Sequence, residues 1–139
     1  MASARRAVTL AASADEVWEL VGDFNGLPKW LPPAAASVLE EGGQVRRLTV
    51  ADGSGEVVER LEARDPDART TTYAILESPL PVSGYVATLA VHERDRGCEV
   101  EWQSTFQPSG AGEDEAVAVI HGIYDEGLGA LQERFGTLQ

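Results

Sequence analysis

The clearest pattern in the chain is an alternation of side chains predicted to be buried and side chains predicted to face solvent, in the two stretches before its last helix. Between residues 97 and 107, every second side chain belongs to a covered set, Cys98, Val100, Trp102, Ser104 and Phe106. The stretch 84–94 repeats this period with Tyr85, Ala87, Leu89 and Val91. A two-residue period is typical of strands that pack one face on a core. We therefore predict a pair of antiparallel strands with Tyr85 and Trp102 facing inward.

The region from about residue 35 to residue 107 is predicted to form a series of strands. Short runs rich in Val, Thr, Leu and Tyr are separated by turn signals such as Asp52-Gly53. Turns this short favour antiparallel neighbours. The predicted strands cover 35–41, 44–51, 55–63, 69–77, 84–94 and 97–107, and a further short strand covers Val8 to Leu10.

Three helices are predicted around these strands. Ser13 precedes Glu16 by three residues, which is the spacing of a capping box, and Gly22 can end that helix. Asn25 is expected to cap a second short helix that has Pro28 in its first turn. The last helix covers 113–136 and carries an apolar stripe at helical spacing. Its three glycines indicate either close approach of the sheet, a bend or internal volume; they are Gly122, Gly127 and Gly129.

The order of the elements predicts an α+β fold. One antiparallel sheet, curved around one long helix, would bury the apolar faces of both. With 139 residues, the chain is expected to form a single domain over 1–139.

Charge and composition exclude several classes of function. The formal net charge of −12 repels phosphate backbones and anionic lipids, so we expect no nucleic-acid partner and no membrane insertion. The lone Cys98 is expected to be a buried, inert thiol, and a single cysteine fits the cytoplasm. His92 and His121 lie on predicted wet faces and form no zinc spacing with Cys98, so we expect no metal and no cofactor.

The main chemical candidate is a carboxylate on an inner strand face. In the strand 55–63, Val57, Glu59 and Leu61 share the more apolar face. Facing inward would take Glu59 out of bulk water and raise its pKa. Since Arg60 points to the opposite face, we expect a tyrosine hydroxyl or a trapped water as the partner. Two alternatives stay open: an inward face formed by Val58, or a Glu59 at a wet rim.

Several segments resemble one protein family. The run VWELVGDFNGLPKWLP (17–32) resembles the early helical signature of the polyketide cyclase/dehydrase group, in the START-like, Bet v 1-like (SRPBCC) superfamily. VVERL (57–61), YAILESPLPV (73–82) and VEW (100–102) are also similar to it. The similarity covers essentially the whole chain, and the first and third motifs are typical of a bacterial subgroup. Members near this subgroup often carry His after the Trp of the second helix, where this chain has Leu31.

The resemblance implies a helix-grip fold. This is a seven-stranded antiparallel sheet wrapped around a long C-terminal helix, with two short helices after the first strand and an apolar cavity between sheet and helix. The expected cavity wall consists of Trp30, Glu59, Tyr73, Tyr85, Trp102, Tyr124 and Leu128. The alternative for the aromatic residues is a dry core.

Three hypotheses for function follow. The first is binding of a small hydrophobic or amphipathic molecule, with Glu59 and tyrosine hydroxyls orienting its polar end. The second is a cyclase or dehydratase that uses Glu59 as a general base and Tyr73 or Tyr85 as a proton donor. The third is a protein-interaction module with a vestigial cavity. The sequence leaves the identity of the ligand and the formation of a homodimer open.

Overall fold

The computed structural model describes residues 1–137 and contains one seven-stranded antiparallel sheet with the strand order β1-β7-β6-β5-β4-β3-β2. Two α-helices accompany it, α1 (Ala14–Val21) after the first strand and α2 (Glu113–Phe135) at the end. The strands are β1 (Ala2–Leu10), β2 (Ala34–Glu40), β3 (Val45–Val50), β4 (Glu56–Asp65), β5 (Thr70–Glu77), β6 (Val82–Arg94) and β7 (Gly97–Pro108). The predicted α+β fold is confirmed.

The predicted phase of the two longest strands is confirmed. The covered set of β7, from Cys98 to Phe106, is at most 5% exposed, and so is the covered set of β6, from Tyr85 to Val91. The first strand is longer than predicted, since it pairs with β7 from Ala2 opposite Phe106 to Leu10 opposite Cys98. Its buried positions Ala2 and Ala4 carry too little hydropathy to stand out from sequence.

The start of α1 has the predicted cap. The Ser13 hydroxyl accepts a hydrogen bond from the Glu16 backbone N–H at 3.2 Å, and the Gly22 N–H donates to the Trp18 carbonyl at 2.8 Å at the other end. Capping satisfies backbone groups that the first and last turns leave without a partner.

The predicted cap of the second short helix was wrong. This element is a single 3-10 turn over Leu27–Lys29, and Gly26 rather than Asn25 precedes it. Asn25 is engaged elsewhere: its backbone N–H donates to Asp23 Oδ1 at 3.1 Å, and its side-chain oxygen accepts from the Ser37 hydroxyl at 2.7 Å. A local contact with Asp23 and a tertiary contact with Ser37 therefore take the place of the expected helix cap.

Helix α2 lies across the inner face of the sheet and packs most closely against β1 and β7. Its apolar stripe is buried as predicted, with Ala116, Ile120, Tyr124 and Leu131 at most 1% exposed. Within residues 1–137, no helix is both long enough and apolar enough to cross a lipid bilayer.

The glycines of α2 have different surroundings. A Cβ on Gly127 would lie 2.7 Å from Leu31 Cδ1 and 3.1 Å from ring carbons of Trp30 and Trp102. Gly127 is therefore required by close packing rather than by internal volume. A Cβ on Gly122 or Gly129 would meet no atom within 4 Å.

Candidate functional site

A cavity of about 470 Å³ lies between α2 and the inner face of the sheet from β3 to β7. Its deep part is formed by buried side chains, among them Leu48, Val57, Glu59 and Ile120. Exposed residues mark its mouth: Pro32 before β2, Asp52 in the β3–β4 turn, Pro79 before β6 and Glu126 on α2. The volume falls within the range usual for small-molecule sites.

Four of the seven residues expected in the cavity wall line it, namely Glu59, Tyr85, Trp102 and Tyr124. The other three, Trp30, Tyr73 and Leu128, are not among the lining residues; they are at most 4% exposed and belong to the adjoining core. The structure thus divides the expected set into a wall and a supporting layer.

Aromatic contacts fix the orientation of the lining residues. The Trp102 ring stacks on Tyr124 with centroids 4.2 Å apart, and the tilted Trp30 ring has its centroid 5.6 Å from that of Trp102. The Trp102 indole N–H donates to the Tyr73 hydroxyl at 2.9 Å, and the hydroxyls of Tyr85 and Tyr124 are hydrogen-bonded to each other. The lining rings are therefore held by both stacking and hydrogen bonds.

The buried carboxylate has a different partner from the expected one. Glu59 is 6% exposed, and Arg46, which is 5% exposed, places Nε 2.8 Å and Nη2 2.7 Å from Glu59 Oε1. The expectation of a tyrosine hydroxyl in place of a basic partner was therefore wrong, because Arg46 provides the partner that Arg60 cannot. Burying a carboxylate favours a charge partner, and an arginine on the adjacent strand supplies one.

The register of the β3–β4 hairpin explains this pair. Arg46 on β3 lies directly opposite Glu59 on β4, so both side chains point to the same face of the sheet. The turn between the strands closes with the Val50 N–H bonded to the Gly55 carbonyl at 3.0 Å. A sequence signal for the pair did exist, since a hairpin that turns at residues 51–54 places Arg46 opposite Glu59, whereas Arg60 is only adjacent along the chain.

Arg46 is also fixed on its remaining sides. Its Nη1 donates to the Phe24 carbonyl at 2.7 Å, and its guanidinium carbon lies 4.2 Å from the Phe24 ring centroid and 5.0 Å from that of Tyr73. Arg46 itself is not part of the cavity lining. The cation is therefore enclosed by protein groups on the side away from the cavity.

The segment between α1 and β2, which forms one side of the mouth, is held through its carbonyl oxygens. Arg64 donates to Gly22 at 2.8 Å and Arg134 donates to Lys29 at 3.3 Å, in addition to the bond from Arg46 to Phe24. Arginines from β3, β4 and α2 thus position the segment that carries Leu27 and Leu31 into the cavity wall.

Burial sets the ionisation of the interior groups. It raises the pKa of Glu59, while the charge and hydrogen bonds of Arg46 act in the opposite direction. Burial also raises the pKa of Tyr73, Tyr85 and Tyr124, so these hydroxyls keep their protons near neutral pH. The tyrosines can therefore serve as hydrogen-bond donors, but not as phenolate bases.

Sequence reasoning missed most of the apolar lining. These residues come from the mouth segments and from inner strand faces, and they include Leu27, Leu31, Ala34, Leu48, Ile75, Leu80 and Ile123. The inward phase of β3 offered a signal for Leu48, but the mouth residues lie in turns, where no periodicity indicates a facing direction.

The thiol of Cys98 and the imidazole of His92 lie apart from the cavity. Among residues 1–137, no three His, Cys, Asp or Glu side chains converge as metal ligands would. Cys98 is fully buried, and burial raises the pKa of its thiol. His92 pairs with Glu101 at 3.0 Å on the outer face of the sheet.

The family described as polyketide cyclase / dehydrase and lipid transport matches residues 1–136. No curated protein is significantly similar to the chain.

Solved structures share the fold over nearly the whole chain. The protein XoxI of Bacillus cereus is 42% identical, with a TM-score of 0.94, and the alignment covers 97% of this chain and 96% of that one. The Zhui aromatase/cyclase of a Streptomyces species is 25% identical, with a TM-score of 0.73 and coverage of 94% and 88%. A START superfamily protein of Mycobacterium smegmatis, 13% identical with a TM-score of 0.78 and 96% coverage of both chains, shares the fold.

Proposed function

The chain belongs to the polyketide cyclase/dehydrase and lipid transport family, and from this premise we propose that it binds a small hydrophobic or amphipathic molecule in the cavity between the sheet and α2. The observation that carries the proposal is a cavity of about 470 Å³ whose wall is mostly apolar. Pockets of this size with a few placed polar groups are typical of small-molecule sites.

The polar groups of the cavity are arranged to orient a ligand. Glu59, Tyr85 and Tyr124 are buried polar members of the wall, and aliphatic side chains such as Leu27, Leu31 and Ile123 supply the apolar surface beside them. An amphipathic ligand would place its polar end at the deep wall and leave its apolar body against the aliphatic side chains. This arrangement supports the binding hypothesis over a vestigial cavity.

The test uses 1-anilinonaphthalene, an uncharged dye whose fluorescence increases in apolar surroundings. We expect saturable binding by the wild-type protein. The Ile75→Trp variant adds volume at a lining position and should weaken binding by about tenfold or more, since the dye competes with the new side chain for space. Val38→Trp is the matched control, because Val38 is 61% exposed and outside the lining.

Two results would count against binding in the cavity. One is an equal loss of affinity in both variants, which would reflect a general effect of the substitution. The other is unchanged binding by the Ile75→Trp variant, which would place the dye on the outer surface.

A cyclase or dehydratase is the second candidate function. It is favoured by one observation, a carboxyl group in the cavity wall whose pKa is raised by burial. Mass spectrometry of molecules that copurify with the wild-type and Glu59→Gln proteins would test it. A dehydratase should yield molecules lighter by one water from the wild-type protein only, whereas a binding protein should yield the same molecule from both.

A further inference from the structure

The two oxygens of Glu59 have unequal surroundings. Both Arg46 contacts, from Nε at 2.8 Å and from Nη2 at 2.7 Å, are made to Oε1. Among residues 1–137, Oε2 has no hydrogen-bond partner, and Glu59 is part of the cavity wall. The carboxylate therefore offers an acceptor oxygen to whatever occupies the cavity.

The guanidinium of Arg46 is not accessible from the cavity in the way that Glu59 Oε2 is. The third nitrogen of Arg46 is bonded to the Phe24 carbonyl, the guanidinium lies against the rings of Phe24 and Tyr73, and the residue is outside the lining. An anionic ligand would therefore meet the acceptor oxygen of the pair and not its donor.

The remaining charges of the wall have the same sign. All the charged residues that line the cavity are acidic, with Glu59 at the deep wall and Asp52 and Glu126 at the mouth. The chain as a whole carries a formal charge of −12. The negative potential that Asp52 and Glu126 give the mouth disfavours entry of carboxylates and sulfonates.

We propose that the cavity selects uncharged ligands that present a hydroxyl or N–H group to Glu59 Oε2, and that it discriminates against anionic ligands of the same size and shape. This inference rests on the proposed binding function and names the class of ligand. Arg46 opposes the rise in the pKa of Glu59 that burial causes, and its charge thereby favours the ionised carboxylate, which is the form that accepts hydrogen bonds. A cationic ligand could pass the acidic mouth, but at the deep wall Arg46 already balances the charge of Glu59, so burying the cation would cost its hydration without a free counter-charge.

The experiment compares three probes with the same ring system at neutral pH. They are 2-naphthol, which has a hydroxyl donor, 2-methoxynaphthalene, which has none, and 2-naphthoate, which is an anion. Affinities are measured by displacement of bound 1-anilinonaphthalene. We expect 2-naphthol to bind about tenfold more tightly than 2-methoxynaphthalene, as for a hydrogen bond to a charged acceptor, and 2-naphthoate to bind most weakly.

Two substitutions assign the selectivity to the deep carboxylate. In Glu59→Gln, the preference for 2-naphthol over 2-methoxynaphthalene should fall to about threefold or less, and 2-naphthoate should gain affinity. Glu62→Gln is the matched control, since Glu62 lies on the same strand, pairs with Arg60 at the surface and is outside the lining, so the ratio of 2-naphthol to 2-methoxynaphthalene should stay unchanged. If Glu59→Gln does not fold, the ranking of the three probes by the wild-type protein decides the question.

The outcomes separate this inference from the proposed function. Displacement by all three probes with equal affinity would overturn the selectivity and leave ligand binding in place. Tightest binding of 2-naphthoate would likewise overturn it, and would indicate that Arg46 turns toward the ligand. If neither 1-anilinonaphthalene nor any of the probes binds, the proposed function and the selectivity both fall.

Discussion

Beneath β1 and β7 the sheet and α2 pack directly on each other, whereas beneath β3 to β5 the two layers stand apart around the cavity. The first region contains apolar side chains that are fully enclosed, such as Leu10, Val100 and Leu131, each 0% exposed. The second contains the buried ion pair of Arg46 and Glu59. The same sheet thus covers a dry core on one side and, on the other, a mostly apolar cavity with a buried ion pair in its surroundings.

The difference indicates a division of roles between the two regions. Close-packed apolar side chains supply stability through burial and dispersion contacts. A buried ion pair supplies little net stability, because desolvation of two charges offsets their attraction. Its retention at the cavity fits a role in binding better than a role in folding.

The largest effect on stability is expected from removing one member of the buried Arg46–Glu59 ion pair. Arg46→Met leaves the carboxylate of Glu59 buried without its counter-charge and should lower the free energy of unfolding by about 3–5 kcal/mol, measured by urea denaturation. Arg47→Met is the control on the outer face of the same strand, where Arg47 bonds to Glu40 and Glu56 on the surface, and it should cost much less.

A double variant extends this test. Replacing both members in Arg46→Met/Glu59→Leu removes both buried charges and should recover most of the stability that Arg46→Met loses. An equal loss of unfolding free energy in the single and double variants would mean that the ion pair makes a net contribution to the stability of the fold. The proposed division of roles between the two regions would then fail.

The next largest effect compares leucines in the two regions. Leu131→Ala in the dry core should lower the free energy of unfolding by about 3 kcal/mol, since the removed side chain leaves a void among packed neighbours. Leu48→Ala, at a lining position, should cost less, because one side of Leu48 already faces the cavity. Chemical denaturation of both variants measures the difference, and a larger loss for Leu48→Ala would contradict the comparison.

Alanine substitutions at two glycines of α2 should change the free energy of unfolding by smaller amounts and in opposite directions. Gly127→Ala brings a methyl group against Leu31 and Trp102 and should destabilise the protein by about 1–3 kcal/mol. Gly122→Ala meets open space and should stabilise it by up to about 1 kcal/mol, through helix propensity. Thermal unfolding of both variants checks the signs, and stabilisation by Gly127→Ala would show that the mouth segment moves freely away from α2.

The smallest expected effect is a pH dependence that Glu59 adds. Its pKa in the folded protein is raised by burial above the value near 4.3 that is usual for glutamate, so the folded state holds the proton more tightly than the unfolded state. The stability that this group contributes is therefore fully present below about pH 4.3 and is lost as the pH rises through the folded-state pKa.

Two measurements check this dependence. The stability advantage of the wild-type protein over Glu59→Gln should shrink across that interval of pH. Carbon-detected NMR titration of the Glu59 carboxyl gives its pKa directly, and a value below about 4.3 would mean that Arg46 outweighs burial.

Much of the fold could be predicted from the sequence, because its signals are local. The two-residue period of β6 and β7 places Tyr85 and Trp102 on the inner face, because successive side chains of a strand alternate between only two faces. The cap at Ser13 is likewise a contact between residues three apart along the chain. Asn25 shows the limit of this reasoning, since its side chain is bound by Ser37 of another element.

The sequence by itself determined the phases of β6 and β7 and the amphipathic last helix, since each depends on the period of a single element. For Glu59 it favoured the inward face and left two alternatives open, and the tertiary structure chose between them. The tertiary structure decided that Arg46 pairs with Glu59, that Trp30 and Tyr73 lie behind the cavity wall, and that Gly127 is a point of close packing. These outcomes depend on hairpin register and on the distance between sheet and helix. Periodicity specifies the face on which a side chain lies, but only the packing of the layers specifies what that face meets.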